Sequence, residues 1–238
     1  MSLNGARLTW FGHATWLLET PGGKRVLIDP WFTGNPKTPT ADPGAVDVML
    51  LTHGHSDHTA DVLRLGAEKK PKAVVGMLEM IDYFEMKGLE HGVGMNKGGS
   101  TEAEGLRMTM TDAHHSSSFG EEDGTIVYMG EPAGFVVTLE NGFKIYIAGD
   151  TCVFGDMALI GELYAPDAAV LPIGDFYTMG PLEAAKATEL LGVKQVVATH
   201  YGTFPLFTGT PDGLRAELAK RGLGDVVVLD TEPGGTIE

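Results

Sequence analysis

The pattern that most restricts the fold is a change of hydrophobic period that occurs twice along the 238 residues. In the first half, apolar alternation over 8–11, 15–18 and 25–28 predicts three short strands, the last two joined by Pro21-Gly22-Gly23-Lys24, which makes a meander. A proline-rich connection over 30–43 leads to the apolar run 47–51, bounded like a buried strand. The spacing then turns helical over 57–69 and 77–87, with a strand at 72–75 between them. The second half repeats the switch. Alternation returns over 105–115, and 135–139 followed by Asn141-Gly142 and 143–148 is the strongest hairpin signal in the chain. Helices are expected over 156–164, 181–191 and 211–221, with strands at 168–173, 194–199 and 225–229. Hairpins and crossovers are mixed in each half, so a single parallel sheet does not fit. Two mixed sheets packed face to face, with helices on both outer faces, satisfy the pattern. No linker or low-complexity run divides the chain, and 1–238 is expected to form one domain.

Such a layered fold needs apolar surface and tight turns. Hydrophobic residues make up 43% of the chain, and its 33 glycines are about twice the usual share of roughly 7%. The formal net charge is −15, from 17 Lys and Arg against 32 Asp and Glu. A surface of that sign repels phosphate backbones and anionic lipid, so nucleic-acid and membrane partners are not expected. Cys152 is the single cysteine and can form no internal disulfide, which makes a cytoplasmic location the expectation. Met1 to Leu3 are set aside. The N-terminus shows no signal-peptide pattern, and no segment approaches the roughly 18 uncharged apolar residues of a membrane span.

Chemistry is concentrated in Thr52-His53-Gly54-His55-Ser56-Asp57-His58, where a buried strand is predicted to end and a helix to begin. His53 and His55 are two apart and point the same way in an extended chain, and the following turn brings Asp57 and His58 back. Imidazole nitrogens with carboxylate oxygens suit Zn²⁺, Mn²⁺ or Fe²⁺ without a thiolate, and this cluster suggests two adjacent metals. The plain alternative is that Asp57 caps the helix. His114-His115, Asp150 and His200 lie where later strands are predicted to end, on the edge where ligand sites form in layered α/β structures. Each alone could be an ordinary histidine or a turn residue; together they complete seven ligands. Asp29, before Pro30, is either a turn residue or a carboxylate that orients a ligating imidazole. His13 and Asp175 are read as pocket residues or supports of the ligands.

H-x-H-x-D-H, a later histidine, Gly149-Asp150 and a final histidine together resemble the metallo-β-lactamase superfamily over nearly the whole chain. Trp10-Phe11-Gly12-His13-Ala14, Ile28-Asp29-Pro30, His115-Ser116-Ser117, Leu171-Pro172-Ile173-Gly174-Asp175, Thr178-Met179-Gly180-Pro181 and His200-Tyr201 are similar to a branch of metal-dependent hydrolases related to ascorbate-6-phosphate lactonases. The resemblance implies a four-layer αββα sandwich of two mixed β-sheets. It implies that His53, His55 and His115 hold one metal, that Asp57, His58 and His200 hold a second, and that Asp150 bridges them. Cys152, two residues beyond Asp150, reads as a small buried residue. Within the His114-His115 pair, strand parity favours His114 as the inward residue, whereas the resemblance favours His115.

Two divalent ions, Asp57, Asp150 and a bridging hydroxide leave about +1 at the site, so the expected substrate is small and anionic. The hydroxide between the metals is the expected nucleophile, Asp57 a proton carrier and Tyr201 a donor to the oxyanion. The reaction expected is hydrolysis of an ester, lactone or phosphoester. A phosphodiesterase or nuclease with the same centre, and a non-catalytic metal-binding regulatory protein, are the alternatives. Homo-oligomer formation is left open.

Overall fold

The first meander forms as read. In a computed structural model that describes residues 3–238, β1 (Arg7–Trp10), β2 (Trp16–Glu19) and β3 (Arg25–Ile28) pair antiparallel, with Leu18 opposite both Leu8 and Val26. Met1 and Ser2, within the segment set aside above, lie outside the described residues. β3 then pairs in parallel with β4 (Val48–Leu50), and β4 with β5 (Ala73–Met77). These last two are buried along their whole length, as continuous apolar runs covered on both faces must be.

The helix expected over 57–69 is two helices, α1 (Ser56–Thr59) and α2 (Val62–Lys69). The break has a cause at Asp61, whose carboxylate accepts from the backbone N–H of Phe32 and Thr33 at 2.7 Å each. The same carboxylate accepts from Arg64 Nε, and the Asp61 N–H donates to Pro30 O. Tying the chain to the segment after β3 outweighs continuing the helix. α3 (Leu78–Met86) follows β5, and β6 (Gly92–Met95) adds in parallel beyond it. The glycines of β6 let α3 lie close: a Cβ at Gly94 would meet Leu78 Cδ1 at 2.8 Å. No strand was expected over these residues.

The second half opens with the hairpin of β7 (Ser100–Ala103) and β8 (Leu106–Asp112), followed by the small two-stranded sheet of β9 (Ser118–Gly120) and β10 (Ile126–Tyr128). β11 (Ala133–Thr138) and β12 (Lys144–Ile147) form the expected hairpin across Asn141-Gly142. α4 (Met157–Tyr164), β13 (Ala168–Pro172), α5 (Pro181–Leu191), β14 (Gln195–Thr199), α6 (Pro211–Lys220) and β15 (Val227–Leu229) then alternate. A last strand, β16 (Thr236–Ile237), pairs with β1.

Two seven-stranded sheets result, ordered β16-β1-β2-β3-β4-β5-β6 and β15-β14-β13-β12-β11-β8-β7. Each is antiparallel at one end and parallel at the other, the mixed pairing that the double change of period required. Alternation along β11 and β12 shows the layering. Phe135, Val137 and Ile145 join the core shared with the first sheet and its helices, while Val136 and Tyr146 join a second core with Met157, Ala184 and Leu218 of α4, α5 and α6. The arrangement is the four-layer αββα sandwich. No helix among the described residues is long and apolar enough to cross a membrane.

Candidate metal centre

β1, β3 and β4 in one sheet, and β8, β12, β13 and β14 in the other, end on one common edge. The segment after β4 is fixed there by backbone contacts to both sheets. Thr52 N–H donates to Asp29 Oδ1 at 2.8 Å, and Thr52 O accepts from Ala133 N–H at the start of β11. His53 Nε2 then lies 3.0 Å from His55 Nδ1, with Gly54 between them packed so tightly that a Cβ would stand 2.3 Å from Met129. α1 turns Asp57 and His58 back toward this pair. Asp57 is not a helix cap: the cap position is His55, no side chain caps the helix, and the Asp57 carboxylate accepts from His13 Nε2 at 3.1 Å instead.

Asp150, after β12, stands in the middle. Its Oδ2 lies 3.0 Å from His200 Nε2, 3.4 Å from His58 Nε2 and 3.8 Å from His115 Nε2. Asp29 takes the place of an orienting carboxylate, accepting from His58 Nδ1 at 2.8 Å and from Thr52 Oγ1 at 2.7 Å. The donor atoms fall into three groups, each within 4.8 Å: His53, His55 and His115; His53, His58 and Asp150; and His13, Asp57, His58 and His200. All seven residues read as ligands in the sequence are therefore brought together.

The electrostatics fit a cation. Burial would push Asp150 up, but the imidazoles of His200 and His58 outweigh it and hold the carboxyl well below its ordinary value. Burial drives His53 far down, and lowers His55 and His115. Burial also opposes the charged form of His58, yet Asp150 and Asp29 together hold that imidazole well above its usual value. Neutral imidazoles that offer lone pairs to one another around a buried carboxylate are a poor arrangement by themselves. His58 Nε2 and His200 Nδ1 have no hydrogen-bond partner at all. Divalent metal ions with nitrogen and oxygen ligands would satisfy these groups together.

His13 is the site residue whose part the sequence understated. It joins the Asp57, His58 and His200 group, and burial and then His200 lower its pKa to about 4. As a neutral imidazole it donates through Nε2 to Asp57, leaving Nδ1 to accept from Thr203 Oγ1 at 3.0 Å. Its carbonyl accepts from the His200 N–H and from Thr199 Oγ1, binding the end of β1 to the end of β14. The available signal was direction: β1 runs parallel to β3, so its end had to reach the ligand edge.

Two expectations are corrected, and the parity alternative for the His114-His115 pair is set aside. Tyr201 turns away from the centre; its hydroxyl donates to Thr231 O at 3.3 Å and its ring stacks on Trp10, so it is not placed to serve an oxyanion. Cys152 is exposed rather than buried and belongs to no ligand group. His114 does not follow strand parity inward, because β8 ends at Asp112; the ring is exposed, stacked on Phe154 and 3.2 Å from Asp112. Asp175 lies on the rim, accepting from Thr208 Oγ1.

The centre opens into a cavity of about 550 Å³, lined by Trp31, Tyr177 and Phe204 on one side and by His55, His115 and Ser116 on the other. That volume suits a small molecule. A cleft of about 610 Å³ beside Tyr83 and Phe119 contains no such ligand group.

Comparison with known proteins agrees with this fold and donor set. A family model described as a beta-lactamase superfamily domain matches residues 24–201. A UPF0173 metal-dependent hydrolase of Rubrobacter xylanophilus is 50% identical over 223 residues, covering 93% of this chain and 92% of that protein. Among solved structures, Igni18, a metallo hydrolase from Ignicoccus hospitalis, superposes with a TM-score of 0.84 at 36% identity, covering 98% of this chain and 97% of that one. An isothiocyanate hydrolase from Delia radicum gut bacteria gives 0.71 at 25% identity, with 98% of each chain covered. Fold and donor set define a hydrolase that depends on metal. The chain belongs to the metallo-β-lactamase superfamily, within its family of UPF0173 metal-dependent hydrolases.

Proposed function

We propose that the chain is a dinuclear hydrolase that cleaves a small ester, lactone or phosphoester, with Zn²⁺ the foremost metal and Mn²⁺ or Fe²⁺ compatible with the same donors. The observation that carries this reading is the buried carboxylate of Asp150, set among His58, His115 and His200 with two neighbouring imidazole nitrogens left without partners. His53, His55 and His115 would hold one ion, Asp57, His58 and His200 the other, and Asp150 both. Bound there, the ions would lower the pKa of a shared water toward neutrality and polarise the electrophilic group of the substrate. The chain's own residues govern the protons. Burial would raise the Asp57 carboxyl, but His13 and His58 keep it ionised, so it accepts a proton first and can return it to the leaving group. Asp29 keeps the Nδ1 proton on His58 and so leaves Nε2 free to ligate.

Purified protein is expected to contain about two metal ions per chain, to lose hydrolysis on chelation and to recover it with Zn²⁺ or Mn²⁺. Full activity in a thoroughly stripped sample would sink the proposal. Uptake should weaken as pH falls, because the His58 pKa is raised in the metal-free protein and binding must displace its second proton. Proton release during a calorimetric titration in two buffers checks the sign. An isothiocyanate belongs in the substrate panel beside esters and lactones, given the name of one structural relative.

The net charge of about +1 at the loaded centre favours a substrate that carries negative charge at or beside the reacting group. With leaving groups matched, an anionic ester should exceed a neutral one in kcat/KM by about fivefold at low salt and less at high salt. Equal values at both ionic strengths would contradict this.

A further inference from the structure

We propose that the part of the substrate that does not react is an aryl or comparable apolar group, seated on an aromatic wall made by Trp31, Tyr177 and Phe204. The inference deepens the reading above, and rests on it, by assigning the class of substrate.

The wall adjoins the centre through His13, which is hydrogen-bonded to Asp57, and through Phe207, which packs on His200. Trp31 meets the His13 ring edge-on at 5.0 Å and lies 6.3 Å from Phe204, which is itself 5.5 Å from Phe207. Phe207 in turn lies 6.1 Å from Tyr177 and 5.1 Å from the ligand His200. Trp31, Phe204 and Tyr177 thus line one face of the cavity, with the buried Phe207 behind them joining Phe204 to Tyr177, and the face ends in solvent, where Tyr177 is 58% exposed. Large aromatic groups left in water on one side of a cleft mark a binding surface. Among the described residues that line this cavity there is no Lys or Arg to grip a phosphate or sugar acid at a distance from the centre.

The backbone holds this wall under constraint. Asp175 and Phe176 are successive non-glycine residues in the left-handed region, at φ +68° and +66°. Strain of this kind persists where the surrounding structure imposes it, and it gathers at ligand sites. Here the imposing contacts come from the two ligand-bearing loops. A Cβ at Gly174 would stand 2.0 Å from the His200 carbonyl oxygen, and Met179 N–H donates to Thr151 O, one residue beyond Asp150. Tyr177 is thus set at a fixed position relative to both His200 and Asp150. A ring lying on Tyr177 and Phe204 would present its attached carbonyl or heterocumulene carbon to the metal pair in one orientation, which is how binding of a remote group assists a reaction.

The test uses metal-loaded protein and two neutral esters with one leaving group, a phenylacetyl and an acetyl ester. The phenylacetyl ester is expected to have a kcat/KM at least about tenfold higher after correction for intrinsic reactivity. Phe204→Ala and Tyr177→Ala should each reduce that ratio by about fivefold, mainly through KM, while metal content stays at the wild-type value. Leu163→Ala, which removes an exposed apolar side chain outside the cavity, should leave the ratio as it is. An equal rate for the two esters, or a ratio unmoved in both wall variants, would overturn the inference. If neither ester is hydrolysed, calorimetric titration with phenylacetate and with acetate separates the two readings. Tighter binding of phenylacetate that is lost in Phe204→Ala would support the wall and count against hydrolysis of esters, and equal binding of both would refute the wall.

Discussion

Asp150→Ala is expected to reduce metal content from about two ions per chain to one or fewer and to lower kcat/KM by about a thousandfold or more. The magnitude follows from position. Among the described residues, no other carboxylate lies within 4 Å of imidazoles from three separate segments, those of His58, His115 and His200. Its loss removes a ligand shared by both ions, and it removes the negative charge that permits two cations to sit side by side in a nearly dry site. Several kcal/mol of electrostatic stabilisation is at stake, which is a factor of about 10³ or more in rate. The alanine also leaves His58, buried and charged in the metal-free protein, with Asp29 as its remaining counter-ion, so some loss of fold stability should accompany it. Asp150→Asn separates the two effects. It preserves volume and a hydrogen-bonding oxygen but removes the same counter-ion and bridges cations poorly, so it should lose less Tm than the alanine and still lose an ion. Elemental analysis with kcat/KM on both variants decides the matter, and two retained ions with full turnover in Asp150→Asn would overturn the assigned role.

What the sequence made legible follows from the range of each interaction. The hairpin of β11 and β12 was visible because its turn residues and flanking alternation are local, and the structure closes it with Leu139 N–H to Phe143 O. β16 was invisible because its partner is β1, at the other end of the chain, and a pairing so remote leaves no local period. β6, β7 and β9 are short edge or accessory strands with glycine or polar residues, which local propensity assigns to turns, and β10, although Ile-Val-Tyr, is three residues long and too short to show a period. The site divides in the same way. H-x-H-x-D-H carries its geometry within one turn of chain, and Asp150 and His200 could be placed by strand ends alone. The contact between His13 and Asp57 depends on how β1 lies across β2 from β3 and on the path of the chain after β4. Tyr201 shows the converse limit: adjacency to a ligand does not fix direction, since His200 adopts φ +56° and the chain turns there, carrying the next side chain away toward Trp10.

The pair His114-His115 supplies the second large expected effect. Parity along a regular strand would carry His114 to the side of Met108 and Met110, both fully buried, and leave His115 outside. The strand does not run that far. After Asp112 the backbone is taken over by other partners: Ala113 N–H donates to the Asp112 carboxylate, and His114 N–H to Thr151 Oγ1. Released from the pleat, the chain turns His115 toward His53 and His55, with ring centroids 5.1 Å from each, and lays His114 on Phe154 in the solvent. His115→Ala should therefore lose the metal held with His53 and His55 and nearly all turnover, by about a hundredfold at least. His114→Ala should keep both metals and most of the activity, since the ring it deletes meets only Asp112 and Phe154 at the surface. Elemental analysis beside kcat/KM for the two variants reads the answer directly. Were His114→Ala the variant to lose its metal, strand parity would extend to the end of β8 in solution, and the loop that now carries His115 inward would have to be rebuilt.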